Sequence, residues 1–185
     1  MSALPLPLVT ADDLPEDVRA ALRPGAAVKD TNGRKRVLPD TFLLIDSWEQ
    51  ALQTPLTAHF MLWERIGVDV REDPAVRAFP RYVPCAILHL AAALELFRLE
   101  VGTYVHVAAN GGYRSPSHGL SRRASRHCWG TAANIYRVGD TFLDGRDEIE
   151  KYAAIARRVA PAHRTTELPR HGPSPPVFRC VLVEG

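Results

Sequence analysis

Apolar residues that recur every three or four positions predict helices along much of the chain. The helical stretches are 11–22, 47–66, 85–100 and 147–159. The stretch at 85–100 carries the most regular apolar face and is therefore expected to lie in the core. The stretch at 147–159 has acidic residues early and arginines late, as the helix dipole favours. Within 47–66, Pro55 must start a second helix or kink the first.

A different pattern, in which apolar and polar residues alternate, predicts strands in the second half of the chain. The strands are 103–108, 131–137 and 177–183. The first ends in a turn at Asn110-Gly111-Gly112. Residues 113–128 then form a long basic loop without an apolar run, and loops of that length inside a compact domain tend to be functional. The polar stretch at 29–36 is also expected to be a loop.

These elements predict an α+β fold, in which helices pack on a small, mainly antiparallel sheet. One domain is expected to span residues 1–185, with a helical first half at 1–100 and a mixed second half at 101–185. The chain has 185 residues, of which 46% are hydrophobic and 24% are charged. It is therefore large enough for one hydrophobic core and has an ordinary globular composition.

Charge and composition argue against several classes of protein. The formal net charge is +2 and the basic runs are short, so nucleic acid is not expected as a partner. The longest apolar tract, at 86–95, is too short to cross a membrane. The N-terminus lacks the basic start of a secretory signal, and three cysteines without a Cys-x-x-Cys pair are typical of a reducing compartment. A cytoplasmic protein is expected, and composition carries no prediction of its oligomeric state.

The candidate chemistry lies in two short segments of the second half. One is Tyr113-Arg114-Ser115-Pro116, directly after the Gly-Gly turn, and the other is Ser125-Arg126-His127-Cys128-Trp129-Gly130-Thr131-Ala132-Ala133-Asn134. A Tyr-Arg-Ser-Pro turn followed by Ser-x-His-x-x-Gly-x-Ala-x-Asp resembles the zinc D-alanyl-D-alanine carboxypeptidases and their Hedgehog-like relatives. In this chain the position of the Asp is occupied by Asn134.

The resemblance implies a substrate-binding set and a metal-binding set. The substrate-binding residues are Tyr113, Arg114, Ser115 and Ser125. Arg114 would pair with a substrate carboxylate, for which the fork of a guanidinium is suited. His127 and the residue at position 134 would bind zinc, which in a hydrolase needs three protein ligands and an open position for water. The amide oxygen of Asn134 binds zinc less readily than a carboxylate does.

The third metal ligand and the general base are where the chain departs from the family pattern. Family members carry a late His, commonly within Glu-x-x-His or His-x-His, and that Glu acts as the base for zinc-bound water. Here Glu167 precedes His171 by four residues instead of three, so both are displaced candidates, for the base and for the third ligand. Cys180 is an alternative ligand, although a Cys in an apolar strand is more often part of the core. Zinc is therefore expected to bind weakly or not at all.

Two hypotheses of function follow. In the first, the protein is a zinc metallopeptidase with an impaired metal site that cuts small D-amino-acid-containing peptides, with Arg114 on the carboxylate and His127 on the metal. In the second, it keeps the fold and the Arg114 pocket without catalytic metal, and binds small peptides or other carboxylate-bearing ligands. The incomplete ligand set favours the second hypothesis, and the family resemblance favours the first.

A third hypothesis concerns the gene. The segment at 165–185 departs from the family pattern where a His-x-His would be expected, and a late frameshift in the coding sequence would produce this. Translation of the other two reading frames beyond Pro161 tests the idea. If neither frame encodes His-x-His or Glu-x-x-His, it is wrong.

Overall fold

In the computed structural model, which describes residues 6–30, 33–121, 125–159 and 178–181 (the last as backbone only), the chain has the predicted α+β fold. The described α-helices are Glu16–Leu22 (α1), Trp48–Gln53 (α2), Trp63–Ile66 (α3), Pro74–Arg77 (α4), Ile87–Val101 (α5) and Arg146–Val159 (α6). The described strands are Leu8–Thr10 (β1), Ala27–Lys29 (β2), Lys35–Val37 (β3), Thr41–Ile45 (β4), Arg81–Pro84 (β5), Val105–Val107 (β6), Ala132–Val138 (β7), Thr141–Phe142 (β8) and Phe178–Val181 (β9). Short 3₁₀ helices lie at Ala11–Asp13 and Arg126–Trp129.

The strands form two small antiparallel sheets and a separate antiparallel hairpin. In the first sheet β4 lies between β1 and β5, and in the second β7 pairs with β6, β8 and β9. β8 bonds the C-terminal end of β7, whereas β9 bonds its N-terminal end. The hairpin consists of β2 and β3. Residues 132–138 are therefore held on more than one side, and Asn134 lies within that strand.

The main hydrophobic core joins α5 and α6 to both sheets. α5 buries Ile87, Leu90 and Leu94 completely, and the ring of Phe97 meets that of Tyr152 on α6 edge to face at 6.5 Å. A smaller core packs α1 and α4 against β4 and β5. Burial of these apolar faces supplies most of the stabilisation of the fold.

The predicted elements with the most regular patterns are confirmed. The helix expected at 85–100 is Ile87–Val101, and the helix expected at 147–159 is Arg146–Val159. The three expected strands are Val105–Val107, Ala132–Val138 and Phe178–Val181. The two helices and the strands Val105–Val107 and Ala132–Val138 contribute buried residues to the main core, so burial accounts for their apolar spacing.

Other predictions need correction. Within 47–66, Pro55 neither starts a second helix nor kinks the first, because α2 ends at Gln53, α3 begins at Trp63, and Pro55 forms an isolated bridge with Met61 between them. The polar stretch at 29–36 is not loop at its two ends, because Lys29 closes β2 and Lys35 opens β3, and the backbone bonds of this hairpin form without any apolar alternation. The helix within 11–22 begins only at Glu16. The first hundred residues thus hold five strands beside five of the six described α-helices, and are mixed where a helical half was expected.

The turn after β6 approaches other backbone segments closely. Asn110 adopts the left-handed conformation with φ 57°, and a Cβ on Gly111 would lie 3.0 Å from the carbonyl oxygen of Asn134. A Cβ on Gly112 would overlap the backbone of Arg65. Both glycines are therefore required by close backbone approach.

We expect Gly112→Ala to lower the free energy of unfolding by about 1–3 kcal/mol, or to prevent folding, because the obstacle is backbone that cannot rotate away. Denaturant unfolding measures the change. Gly119→Ala is the matched control, since its Cβ would make an ordinary 3.6 Å contact with the Cβ of Arg71. Equal stability of the two variants would contradict the packing of the turn on Arg65.

Candidate functional site

The turn at 111–115 is bonded to three separate parts of the chain. The Tyr113 N–H donates to the carbonyl of Arg65 at 2.7 Å. The Asn134 N–H donates to the carbonyl of Gly111 at 2.8 Å, and the Arg114 N–H donates to the carbonyl of His127 at 3.3 Å. The structure therefore brings Arg114, His127 and Asn134, all predicted from the motif, to one turn.

His127 is completely buried in the 3₁₀ helix Arg126–Trp129, which ends at Gly130 with φ 68°. Its ring is oriented by the same turn, because Nδ1 lies 2.6 Å from the carbonyl oxygen of Gly112. That bond requires the proton on Nδ1 and leaves Nε2 as the ring nitrogen able to ligate a metal. A histidine metal ligand is commonly oriented in this way, by a backbone carbonyl on its second nitrogen.

Asn134 occupies β7 with only 9% of its surface exposed. Its backbone is bonded on both sides, since its carbonyl accepts from Ala108 N–H at 2.9 Å and its N–H donates to Gly111. Its side-chain oxygen Oδ1 is buried and has no hydrogen-bond partner among the described residues. A buried amide oxygen in that condition is unusual and marks position 134 as a candidate ligand-binding position.

The predicted substrate-binding residues are close together but buried. Arg114 is 2% exposed, and its Nη2 donates to Ser125 Oγ at 3.4 Å. Tyr113 packs in the main core, where burial raises the pKa of its phenol well above the ordinary value. A cavity of about 500 Å³ is lined by other side chains, which include Cys85 and Trp129. The expected pocket bounded by Tyr113, Arg114, Ser125 and His127 is thus a packed cluster in this conformation.

Ser115 is bonded to a carboxylate that the motif did not indicate. Glu72 is 4% exposed, and its Oε2 accepts from the Ser115 N–H at 3.0 Å while its Oε1 accepts from the Ser115 Oγ–H at 2.5 Å. Ser115, which the resemblance places in the substrate-binding set, thus ties the turn to a distant loop. No periodicity or spacing around Glu72 signals this contact.

A second buried network was also missed, and it holds the chain on either side of the turn. His118 is 2% exposed, with Nε2–H donating to Asn110 Oδ1 at 3.0 Å and Nδ1 accepting from Leu120 N–H at 3.0 Å. Asn110 in turn bonds Asp69 through both side-chain atoms at 2.9 Å. The charged groups around the imidazole are Asp69, Arg71, Glu72 and Arg114. Burial lowers the pKa of His118 below its ordinary value.

Arg65, whose carbonyl receives Tyr113, is itself unusual. Its guanidinium is completely buried, lies 4.6 Å from the centre of the Phe60 ring and approaches Glu64 no closer than 3.8 Å. None of its three side-chain nitrogens has a hydrogen-bond partner in the described part of the chain. Burial lowers the pKa of Arg65 to about 10. A buried cation of this kind opposes folding and is found more often at functional sites than elsewhere.

The metal set is incomplete among the residues that the structure describes, where no three His, Cys, Asp or Glu side chains gather. The predicted third ligand His171 and the predicted base Glu167 lie outside those residues. Cys180 is described through its backbone alone and lies opposite Ala133 in the β7–β9 register. Cys128, beside His127, is buried, and burial raises the pKa of its thiol to about 11.

Comparison with known proteins gave no match to this chain among family models, curated proteins or solved structures. The motif resemblance and the geometry of the described residues therefore carry the functional argument. Among the described helices, none combines the length and the apolar character that a membrane span needs.

The buried His118 generates a prediction about pH. The folded state favours the neutral ring, while the unfolded ring has the ordinary pKa of 6.5, so the unfolded state takes up a proton first as pH falls. The contribution of His118 to the free energy of unfolding should be fully present above about pH 6.5. Below that pH the free energy of unfolding should decrease, by up to about 1.4 kcal/mol per pH unit. Denaturant unfolding of wild type and His118→Gln between pH 5 and 8 measures the slope.

His106 is the necessary comparison for that experiment. Burial and the neighbouring Arg137 also lower its pKa, so it adds to the slope in the same direction. Unfolding of His106→Gln over the same pH range separates the two contributions. A wild-type slope in His118→Gln, together with loss of the slope in His106→Gln, would show that His118 is not the group responsible.

Proposed function

We propose that the protein is a D-alanyl-D-alanine carboxypeptidase-like domain that recognises small D-amino-acid-containing peptides through their free carboxylate and has an impaired metal site. The observation that carries this proposal is the meeting of Arg114, His127 and Asn134 at one turn. These are the residues that the resemblance assigns to carboxylate recognition and to metal binding. A cytoplasmic location would give the protein access to free dipeptides.

The residues present fit a metal in part. Nδ1 of His127 donates to the Gly112 carbonyl, as expected of an imidazole that ligates a metal through Nε2, and the buried Oδ1 of Asn134 is a second atom able to ligate it. Both donors are neutral, so the pair lacks the negative charge that a carboxylate would supply at position 134. Zinc, when bound at such a site, polarises a peptide carbonyl and lowers the pKa of its bound water. We therefore propose weak metal binding and little hydrolysis.

Recognition depends on Arg114. Its guanidinium can form two parallel bonds to a carboxylate, which an ammonium cannot do. Ser125 Oγ lies 3.4 Å from Nη2 and orients the fork from one side. Because Arg114 is 2% exposed, a ligand must displace neighbouring side chains or the loop that follows the turn to reach it.

Full peptidase activity is the second candidate function. The orientation of His127 by the Gly112 carbonyl favours a metal-binding role for this histidine over a purely structural one. This reaction needs a third ligand and a base, for which His171 and Glu167 are the proposed residues. In this alternative Arg114 keeps its role on the carboxylate. The proposed ligand class is therefore common to both candidates, and neither involves nucleic acid.

Zinc content tests the metal half of the proposal. Protein purified without chelator should hold clearly less than one zinc per chain, and Asn134→Asp should raise this content, because a carboxylate binds zinc more readily than an amide. Mass-spectrometric metal analysis gives the stoichiometry, and the rise in Tm on zinc addition gives a second measure. Asn134→Asp combined with His127→Ala is the control and should lose the gain.

Two outcomes would contradict this part of the proposal. Stoichiometric zinc in the wild type would show that Asn134 does not impair the site. No gain in Asn134→Asp would show that position 134 is not a ligand position or that the third ligand is the real deficiency. In either case, zinc should not raise the Tm of Asn134→Asp.

Calorimetric titration with D-alanyl-D-alanine tests the recognition half. A charge-assisted bond is worth about 1.5–3 kcal/mol, so Arg114→Ala should weaken binding by roughly one to two orders of magnitude. Arg114→Lys should restore only part of the affinity. The matching dipeptide amide should bind the wild type more weakly than the acid does.

Arg126→Ala is the matched control for that titration, since Arg126 is a half-buried arginine of the adjacent 3₁₀ helix and lies outside the 111–115 turn. Its affinity for the dipeptide should stay close to that of the wild type. Equal affinity of the wild type for acid and amide would remove the carboxylate role from Arg114. So would an unchanged affinity in Arg114→Ala.

A further inference from the structure

We infer that Glu72 is the positioning residue of the carboxylate site: it fixes Ser115 and thereby sets where the Arg114 guanidinium lies. The inference rests on the proposed function, because it assigns a role relative to the ligand of Arg114. Nothing in the motif includes Glu72, which stands 43 residues before Ser115. It belongs to the loop between α3 and α4.

The geometry singles out Ser115 as the main partner of this carboxylate. Oε1 accepts from the Ser115 Oγ–H at 2.5 Å and Oε2 accepts from the Ser115 N–H at 3.0 Å. Oε1 also accepts from the N–H of Asp73 at 3.0 Å. Ser115 Oγ, which donates to Glu72, accepts from the N–H of Ser117 at 3.1 Å. One buried carboxylate thus fixes both the backbone and the side chain of the residue that follows Arg114.

The other anchors of Arg114 show why this contact matters. On the N-terminal side, Tyr113 is bonded to Arg65 at 2.7 Å, and the Arg114 N–H is bonded to His127 at 3.3 Å. The guanidinium donates to Ser125 Oγ over a long bond of 3.4 Å. Backbone bonds hold the turn on the N-terminal side of Arg114, and Glu72 supplies the anchor on the C-terminal side.

Positioning is a better account of Glu72 than proton transfer. Both of its oxygens accept hydrogen bonds from Ser115, and Oε1 also accepts from the Asp73 N–H, so three of about four acceptor positions of the carboxylate are used to hold the turn and its own loop. Glu72 also lines a small cavity with Tyr113, Ser115 and Arg81, so the carboxylate faces structural neighbours of the turn. A group that orients a binding residue through its neighbour is the usual supporting element of such sites.

The test compares Glu72→Gln with Asp30→Asn in the full chain. Asp30 is a matched control, being 6% exposed and bonded to Arg34 N–H and Arg36 Nε within the β2–β3 hairpin. Glu72→Gln should weaken binding of D-alanyl-D-alanine about tenfold and leave the affinity for the dipeptide amide nearly unchanged. Asp30→Asn should change neither. A merely structural role would lower both affinities together, so the ratio of acid to amide affinity is decisive.

Hydrogen exchange without ligand gives an independent measurement. The amides of residues 113–115 and 117 should exchange faster in Glu72→Gln than in wild type or Asp30→Asn, because the Ser115 N–H loses a charged acceptor. Ser115→Ala removes the Oγ bond alone and provides a milder variant if Glu72→Gln does not fold. The double variant Glu72→Gln/Ser115→Ala should exchange only slightly faster than Glu72→Gln alone, since both changes break the same contact.

These measurements separate the two proposals. Failure of the wild type to bind the dipeptide would overturn the proposed function, whereas the exchange rates would still decide whether Glu72 orders the turn. Unchanged exchange at residues 113–115 and 117 in Glu72→Gln would overturn the inference. So would an acid-to-amide affinity ratio equal to that of the wild type.

Discussion

The candidate site depends on one close approach, in which the backbone at Gly112 lies against the backbone of Arg65. Because Gly112 has no Cβ, the turn lies close enough to Arg65 for the Tyr113 N–H to donate to the Arg65 carbonyl. The carbonyl of Gly112 accepts a hydrogen bond from Nδ1 of the His127 ring. Three distant segments are thereby bonded to a few consecutive residues. Any displacement of this turn would move Arg114, the proposed carboxylate-binding residue, together with the candidate metal ligand His127.

The polar groups around this turn oppose stability and so require explanation. Arg65 and Arg114 carry buried guanidinium groups. Glu72 is a buried carboxylate that accepts a hydrogen bond from Ser115, the residue after Arg114. Replacing such groups by apolar ones of similar size is often neutral or stabilising. These buried charged groups are concentrated around one turn, whereas α5 packs as an ordinary apolar helix. The departure from stable packing therefore coincides with the proposed site.

The sequence was sufficient to predict elements with a regular apolar pattern and residues that belong to a motif. The regular apolar face of α5 and the alternating residues of β7 indicated both elements, and the motif selected Arg114, His127 and Asn134. Glu72 and Arg65 could not be predicted, because they lie on a loop and a four-residue helix without periodicity and reach the turn across more than forty residues. The β2–β3 hairpin was missed for a similar reason, since backbone pairing alone holds its polar strands.

The two halves of the site differ in how they depend on side chains. Asn134 holds the turn through its backbone N–H, which any residue except proline supplies, so an aspartate or an asparagine at 134 leaves that bond unchanged. His127, by contrast, is oriented through its side chain, and Ser115 is bonded through both its backbone and its hydroxyl. Metal affinity can therefore be altered at position 134 while the geometry of Arg114 is retained. A turn of this geometry is therefore compatible with the weak metal site that we propose at position 134.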